Sequence, residues 1–456
     1  MSSITRTITP WVTSAVTSGA LRSVRRGAAE VRRRIGGEPH RVLYFHQLDD
    51  PYSQLTAQIL PRLAGRWDVV IEPFLVGPPP DAAAPERARL ENWSRLDAAR
   101  VAPYYGLEFA DRARQPSERA LKRAASLLAA ASPEALVKHA GEIGAALWSL
   151  DETRLDALAE HPPQGLGVAT PAEIESACRR GDERRKGLGH YLGATFHYGG
   201  EWYWGVDRLH HLERRLHDLG LARAGAGAGP TIVRPDYAQA PVVGGNGAGM
   251  ALEFYPSLRS PYTYIAMERT YALARRYGIE LRLRPVLPMV MRGLPIPAEK
   301  SMYIVLDTKR EADDAGIPFG HISDPVGRPV ERGFSLYPLA CARGRAAEYL
   351  LAFARAAWAE GIDCGTDEGL RHVVTVAGLD WQEAGPHLDV DAGWRAELEA
   401  NRAQMFELGL WGVPSYRLIG PDPESDFPVW GQDRIWLLEA EIRRRGGFGD
   451  GTTAGA

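Results

Sequence analysis

Ser260 lies in the stretch Glu253-Phe-Tyr-Pro-Ser-Leu-Arg-Ser-Pro-Tyr-Thr-Tyr-Ile-Ala266. The pattern reads as a short apolar strand, a tight loop and a helix with Pro261 at its first position. Proline suits that position, because its fixed φ is helical and its missing N–H has no partner there anyway. Ser260 is then the N-cap. A hydroxyl at that point faces unpaired N–H groups and partial positive charge, which stabilise an anion by about 0.3–1 kcal/mol at an exposed site. The plain reading is a helix cap, and the chemical one is a donor to a bound anion. A second pair, Gln432-Asp433, opens the last helix of the chain and has the same two readings, helix N-terminus or ligand contact.

The elements that position these residues occur twice. Arg41–Gln47 reads as a strand, a helix runs from Asp49 to about Ala64, and Trp67–Leu75 is a second strand. A long Ala-, Leu-, Arg- and Glu-rich helical region follows, broken at Pro103, Pro116, Pro133 and Pro162. Two short strands then meet at Gly199-Gly200 as a hairpin, and a helix runs from Val206 to Leu219. After a Gly-, Ala- and Pro-rich stretch the order returns: strand to Tyr255, helix Pro261–Tyr277, strand Ile279–Pro285, helices over about 298–408, strands at 413–419 and 427–430, and a last helix from Gln432. Three anchors match in order. Asp50-Pro-Tyr-Ser53 answers Ser260-Pro-Tyr-Thr263, the loop at Gly193-Ala194 answers Gly412-Val-Pro414, and Trp204-Gly-Val-Asp-Arg208 answers Trp430-Gly-Gln-Asp-Arg434. Each half therefore reads as an α/β thioredoxin-like core with a helical domain inserted in its middle. The expected division is a basic leader over 1–40, a degenerate domain over 41–220, a linker over 221–249, a second domain over 250–446 and a flexible tail.

Composition narrows the function. The 456 residues carry a net charge of −3, so nothing global favours nucleic acid. Cys178, Cys341 and Cys364 form no C-x-x-C and have no Cys or His at metal-ligand spacing, which argues against a disulfide scaffold, a zinc site and dithiol redox chemistry. A reducing cytoplasm is the expected compartment. No apolar run is long enough to span a bilayer. The leader is expected to be solvated and partly ordered. Its residues Trp11–Ile35 have the alternative of a basic amphipathic helix at a membrane surface. His210-His211 is expected on a solvated helix face, and Trp202, Trp204, Trp411 and Trp430 in the core.

The motifs Phe254–Ala266, Trp411-Gly-Val-Pro-Ser415 and Trp430-Gly-Gln-Asp-Arg434 resemble the 2-hydroxychromene-2-carboxylate isomerases. These group with the kappa-class glutathione transferases in the DsbA-like branch of the thioredoxin superfamily. The resemblance spans residues 250–445 and, more weakly, 41–219. It implies two tandem DsbA-like domains with glutathione, or another low-molecular-weight thiol, as cofactor. Ser260 would donate to the cofactor's sulfur, the backbone at Val413 and a cis Pro414 would pair with its cysteinyl unit, and Gln432 and Asp433 would hold its γ-glutamyl end. The resemblance further implies Tyr262, Lys300 and Tyr303 as contacts to a small electrophilic substrate. One departure is Leu294, near the place where the family carries an Asn. In the first half Asp50 replaces the serine and Ala194 the proline, so that half reads as a scaffold, an internal version of the relatives' dimer partner. Homo-oligomers remain compatible with this reading. The competing reading is a non-catalytic tandem binding module.

Overall fold

The computed structural model describes residues 3–227, 229–237, 240–294, 296–421 and 426–449. Of the expected flexible tail over 447–456, residues 450–456 lie outside these residues. The chain divides into two compact units. One comprises Ser23–Pro235, and the other Met1–Arg22 together with Asp236–Ala456.

The Ser23–Pro235 unit is built on strands β1 (Arg41–His46), β2 (Val70–Leu75), β3 (Thr195–Tyr198) and β4 (Glu201–Trp204), in the sheet order β2-β1-β3-β4. β1 pairs parallel with β2 and antiparallel with β3. Most of helix α2 (Gly19–Ile35, after α1 at Ser3–Thr17) belongs to this unit, which continues with α3 (Pro51–Ala57) and α4 (Leu60–Arg66). Sequence reading joins α3 and α4 into one helix. They separate after Ala57 because Pro61, in the first turn of α4, has no N–H to return to that turn. Helices α5 to α9 (Arg87–Val101, Glu118–Ala129, Pro133–Trp148, Glu152–Glu160 and Pro171–Gly187) fill the space between β2 and β3, and α10 (Leu209–Asp218) follows β4.

The second unit repeats this plan. β5 (Ala251–Tyr255) leads through a short loop into α11 (Pro261–Tyr277), followed by β6 (Glu280–Leu283) and α12 (Ala298–Asp314). Helices α13 to α18 (Arg328–Ser335, Tyr337–Ala342, Ala346–Trp358, Asp367–Val376, Trp381–Ala384 and Trp394–Glu407) complete the insertion. β7 (Ser415–Ile419), β8 (Phe427–Trp430) and α19 (Ile435–Gly446) close the unit. The sheet order is β6-β5-β7-β8, with β5–β6 parallel and β5–β7 antiparallel. Each side of β5 meets a buried layer. Leu252 and Phe254 join one large apolar core with Tyr271, Tyr349, Phe353 and Tyr416. On the opposite face Glu253, 1 % exposed, is neutralised by Arg284 at 3.0 Å and Arg417 at 3.3 Å. β5 is a central strand buried along its whole length, so the one charge it carries needs both arginines.

Three expectations differ from the structure. Residues 1–40 are not a loose leader. Residues 3–35 hold α1 and α2, and α1 is tied to the rest of its unit by Ser14 Oγ to His321 Nδ1 at 2.7 Å and by the Ile322 N–H donating to Thr13 at 3.0 Å. Nor do the described residues of 221–249 stand apart as a separate linker. Within the first unit Arg62 donates to the Thr231 carbonyl, and Arg66 to those of Ala226 and Gly227. In the second, Arg276 donates to Tyr237 O at 2.9 Å. His211, expected in solvent, is buried on α10.

Phe254 stacks on Tyr416 with ring centroids 5.1 Å apart, and both rings are fully buried. Phe254→Ala is expected to destabilise this unit by about 3–5 kcal/mol through lost burial and a residual cavity. Urea denaturation of the full chain checks this, and a loss below 1 kcal/mol would show that β5 does not carry the core.

Candidate functional site

The loop between β5 and α11 is held from several directions. Trp358 Nε1 donates to Leu258 O at 3.1 Å, and Arg259 grips Asp324 with two bonds of 2.9 and 2.8 Å. The loop thus delivers Ser260 to the start of α11 with φ −104° and ψ 115°, and Ser260 Oγ accepts from the Thr263 N–H at 3.1 Å. The same hydroxyl lies 3.5 Å from the Val413 carbonyl, to which it donates. The Val413–Pro414 bond is cis. Ser415 Oγ donates to Gly412 O at 2.6 Å, and the Gly431 N–H donates to Pro414 O at 2.9 Å. Three stretches distant in sequence therefore meet: the α11 N-terminus, residues 412–415 and the turn at 431–434.

Gly431 is needed at this junction. Its φ is +113°, and a Cβ there would fall 2.4 Å from Asp433 Oδ1. Asp433 is 8 % exposed, with Oδ1 3.7 Å from Arg434 Nη1. Gln432 is 2 % exposed, and its side chain is already engaged. Its oxygen accepts from Arg269 Nη1 at 2.9 Å, and its nitrogen donates to Glu311 at 2.9 Å. Gln432 therefore braces the turn against α11 and α12, and its main chain rather than its side chain is what a ligand would meet. Tyr262 donates to Asp307 Oδ2 at 2.7 Å, an internal bond that fixes the first turn of α11 to α12. Tyr303 is buried on α12.

Lys300, in the first turn of α12, stands 5.6 Å from the centre of the Trp411 ring. Burial pushes its ammonium down to about 8. Trp411 is the residue that sequence reading assigned to packing alone. It does pack, edge-on to Trp430 at 5.9 Å, but its indole N–H is buried without a hydrogen-bond partner among the described residues. A buried donor left unsatisfied costs about 1–3 kcal/mol, so it marks a place where a ligand acceptor fits. The available signal was its position directly before Gly412-Val413-Pro414. The protein's own thiols are unsuited to nucleophilic work. Cys178, Cys341 and Cys364 are unpaired, and burial of the sulfur raises each pKa.

The corresponding place in the first unit is filled by its own hydrogen bonds. Asp50 caps α3 by accepting from Tyr52 and Ser53 N–H groups, both at 3.1 Å. Ser53 Oγ donates to Asp50 at 2.9 Å while accepting from Ala194 N at 2.9 Å and Gln47 N at 3.1 Å. Ala194 has φ +53°, where the other unit carries Pro414. Burial, with Asp49 adjacent, pushes the Asp50 carboxyl up to about 7 against these hydrogen bonds. Tyr52 donates to Asp97 at 2.7 Å, 45 residues on, the same separation and length as Tyr262 to Asp307.

Residues 251–443 match the family model described as a DSBA-like thioredoxin domain. Among curated proteins, the chain is similar to the 2-hydroxychromene-2-carboxylate isomerase of Pseudomonas putida, 27 % identical over 203 residues that cover 43 % of this chain and 95 % of that one. The enzyme of the same name from Sphingobium xenophagum is 26 % identical over 196 residues, 42 % of this chain and 97 % of its own. A solved structure of a 2-hydroxychromene-2-carboxylate isomerase aligns with a TM-score of 0.36 at 24 % identity, covering 42 % of this chain and 95 % of the other.

Lys300 provides a check on the electrostatics. Its native pKa lies below the unfolded value, so between about pH 8 and 10 the unfolded chain binds the extra proton. Over that window the group's contribution to stability rises with pH. Lys300→Met is expected to remove this rise, seen as a wild-type-minus-variant difference in melting temperature measured from pH 7 to 10. A difference that stays flat would mean that Lys300 is solvated.

Proposed function

We propose that residues 251–443 bind glutathione, or a similar low-molecular-weight thiol, and use it to isomerise a conjugated small-molecule electrophile. The observation that carries this reading is the Ser260 hydroxyl at the N-terminus of α11, 3.5 Å from the Val413 carbonyl. The residues present fit such a cofactor. The site joins a helix N-terminus, the half-buried main chain of Val413 and a carboxylate, and beside it lies a buried indole donor with no partner among the described residues. When bound, the thiol supplies a thiolate that adds reversibly to a conjugated double bond and so frees rotation about it. The same addition without the return step is a transferase reaction. All other work falls to the chain.

With the thiol bound, Ser260 gives up its long bond to the Val413 carbonyl and donates its one proton to the sulfur instead, and the first N–H groups of α11 lower the energy of the anion. The Val413 main chain aligns the cysteinyl unit as an added strand would. Asp433 takes the ammonium of the γ-glutamyl end, while the main chain of Gln432 lies beside its carboxylate. Lys300 and Trp411 present a cation and an N–H donor to the anionic part of the substrate, and Tyr303 lines the same helix. Tyr262 acts through its bond to Asp307, as a support. The substrate class follows the relatives' name, a ring-opened hydroxychromene carboxylate or something like it.

We read the first unit as a catalytically silent copy produced by tandem duplication. The shared strand order and the repeated Tyr–Asp bond at a spacing of 45 residues support this. A negative Asp50 would repel a thiolate. The unpaired cysteines suit a reducing cytoplasm.

Calorimetric titration with glutathione is expected to give one site per chain, and two equal sites would refute the silent-copy reading. Ser260→Ala is expected to lower thiol-dependent isomerisation about 100-fold, the usual scale for losing one positioned donor. Ser260→Gly should do the same while costing only a few tenths of a kcal/mol as a cap. Full turnover in both variants would remove Ser260 from the chemistry. Asp433→Asn should weaken glutathione binding roughly tenfold, the scale of one charge-assisted hydrogen bond. If no thiol raises the melting temperature of the wild-type chain, the binding-module reading takes over.

A further inference from the structure

Helix α2 is turned the opposite way from an ordinary surface helix. Val24, Val31 and Ile35 are 66 %, 56 % and 83 % exposed, and Ala28 between them is exposed as well. Steps of four, three and four residues place all four on one stripe. The polar side is the one fixed to the protein. Arg26 makes a two-point bond to Glu201 at 2.6 and 2.9 Å. Arg33 grips Glu30 at 2.8 and 2.6 Å and donates to the Glu38 carbonyl at 2.6 Å. A helix normally turns its apolar stripe inward, because that burial is its main source of stability.

The margins of the stripe are cationic. Helical geometry sets Arg25 and Arg32 along one edge and Arg34 along the other, and all three are exposed. Arg25 and Arg32 have no ion-pair partner among the described residues. The only acid in α2 is Glu30, on the inner side, where Arg33 and Arg34 neutralise it. They hold its carboxyl down to about 2.

We propose that α2 is a membrane-surface anchor that lies flat on anionic lipid, with the Val24–Ala28–Val31–Ile35 stripe in the acyl boundary and Arg25, Arg32 and Arg34 among the headgroups. An apolar stripe with arginine margins is the chemistry of an interfacial helix. The arginine stems lie along the apolar boundary while their heads reach lipid phosphates. Nucleic acid would use the arginines but not the stripe. A second copy of the chain would bring the same positive margins together and repel. No helix among the described residues is long and apolar enough to cross a bilayer, so the attachment is peripheral.

Co-sedimentation of the full chain with sucrose-loaded vesicles tests this. Phosphatidylcholine vesicles containing 30 % phosphatidylglycerol are expected to retain at least tenfold more protein than phosphatidylcholine alone, and about 0.5 M salt should reverse most of the difference. Val31→Asp with Ile35→Asp should abolish retention. Arg25→Gln with Arg32→Gln should lower it severalfold. Both pairs are exposed and should leave thiol binding unchanged. Equal recovery from both vesicle types, or retention that survives the aspartate pair, overturns the proposal. A doubled mass by light scattering that the aspartate pair abolishes, with no vesicle binding, assigns the stripe to self-association instead.

Discussion

The Ser260 hydroxyl satisfies two constraints at once. As an acceptor it closes the α11 N-terminus through the Thr263 N–H, and as a donor it reaches the Val413 carbonyl. The first bond orients the side chain, and the second brings the loop before β7 against the helix start. Everything else near the site reinforces that meeting. Trp358 and the Arg259–Asp324 pair hold one partner, while Ser415 and Gly431 hold the other. A hydroxyl held between a positive helix end and the half-buried main chain at Val413 is pre-organised, with little freedom left to reorganise.

The two units carry different polar networks on the same strand order. Both sheets keep their order, and both helix starts keep the tyrosine latch to the first inserted helix. Where one unit has Ser260 facing a carbonyl, the other has Asp50 bonded to Ser53, which in turn holds Ala194 and Gln47. The internal network occupies the donors that a ligand would otherwise meet. Sheet order and polar network are therefore separable here, since both units keep the architecture while the bonds at the two helix starts differ.

Local pattern made most of this visible. Pro261 and the Ser cap mark the start of α11, and the buried run of β5 marks the central strand. The repeat of Asp50-Pro-Tyr-Ser53 as Ser260-Pro-Tyr-Thr263 marks the two equivalent helix starts. What stayed hidden depends on contacts remote in sequence. Gln432 looks like an ordinary residue of a helix start until Arg269 and Glu311, 163 and 121 residues away, are seen to hold its amide. Trp411 looks like core until its N–H is found without a partner among the described residues. The first forty residues look loose because α2 presents an inverted pattern, and because α1 is secured by His321 and Ile322, far along the chain.

The insertion of α12 to α18 also governs when the site can exist. Ser260 and Val413 are 153 residues apart in the chain. During synthesis the helix start leaves the ribosome well before the loop that completes it. At typical translation rates of about 5–20 residues per second, that interval is on the order of ten seconds or more. For that time the nascent polypeptide carries only the helix-start half of the junction, with the edge of β5 open where β7 will pair. Assembly of the junction and closure of the sheet are thus a single late event in the life of the chain.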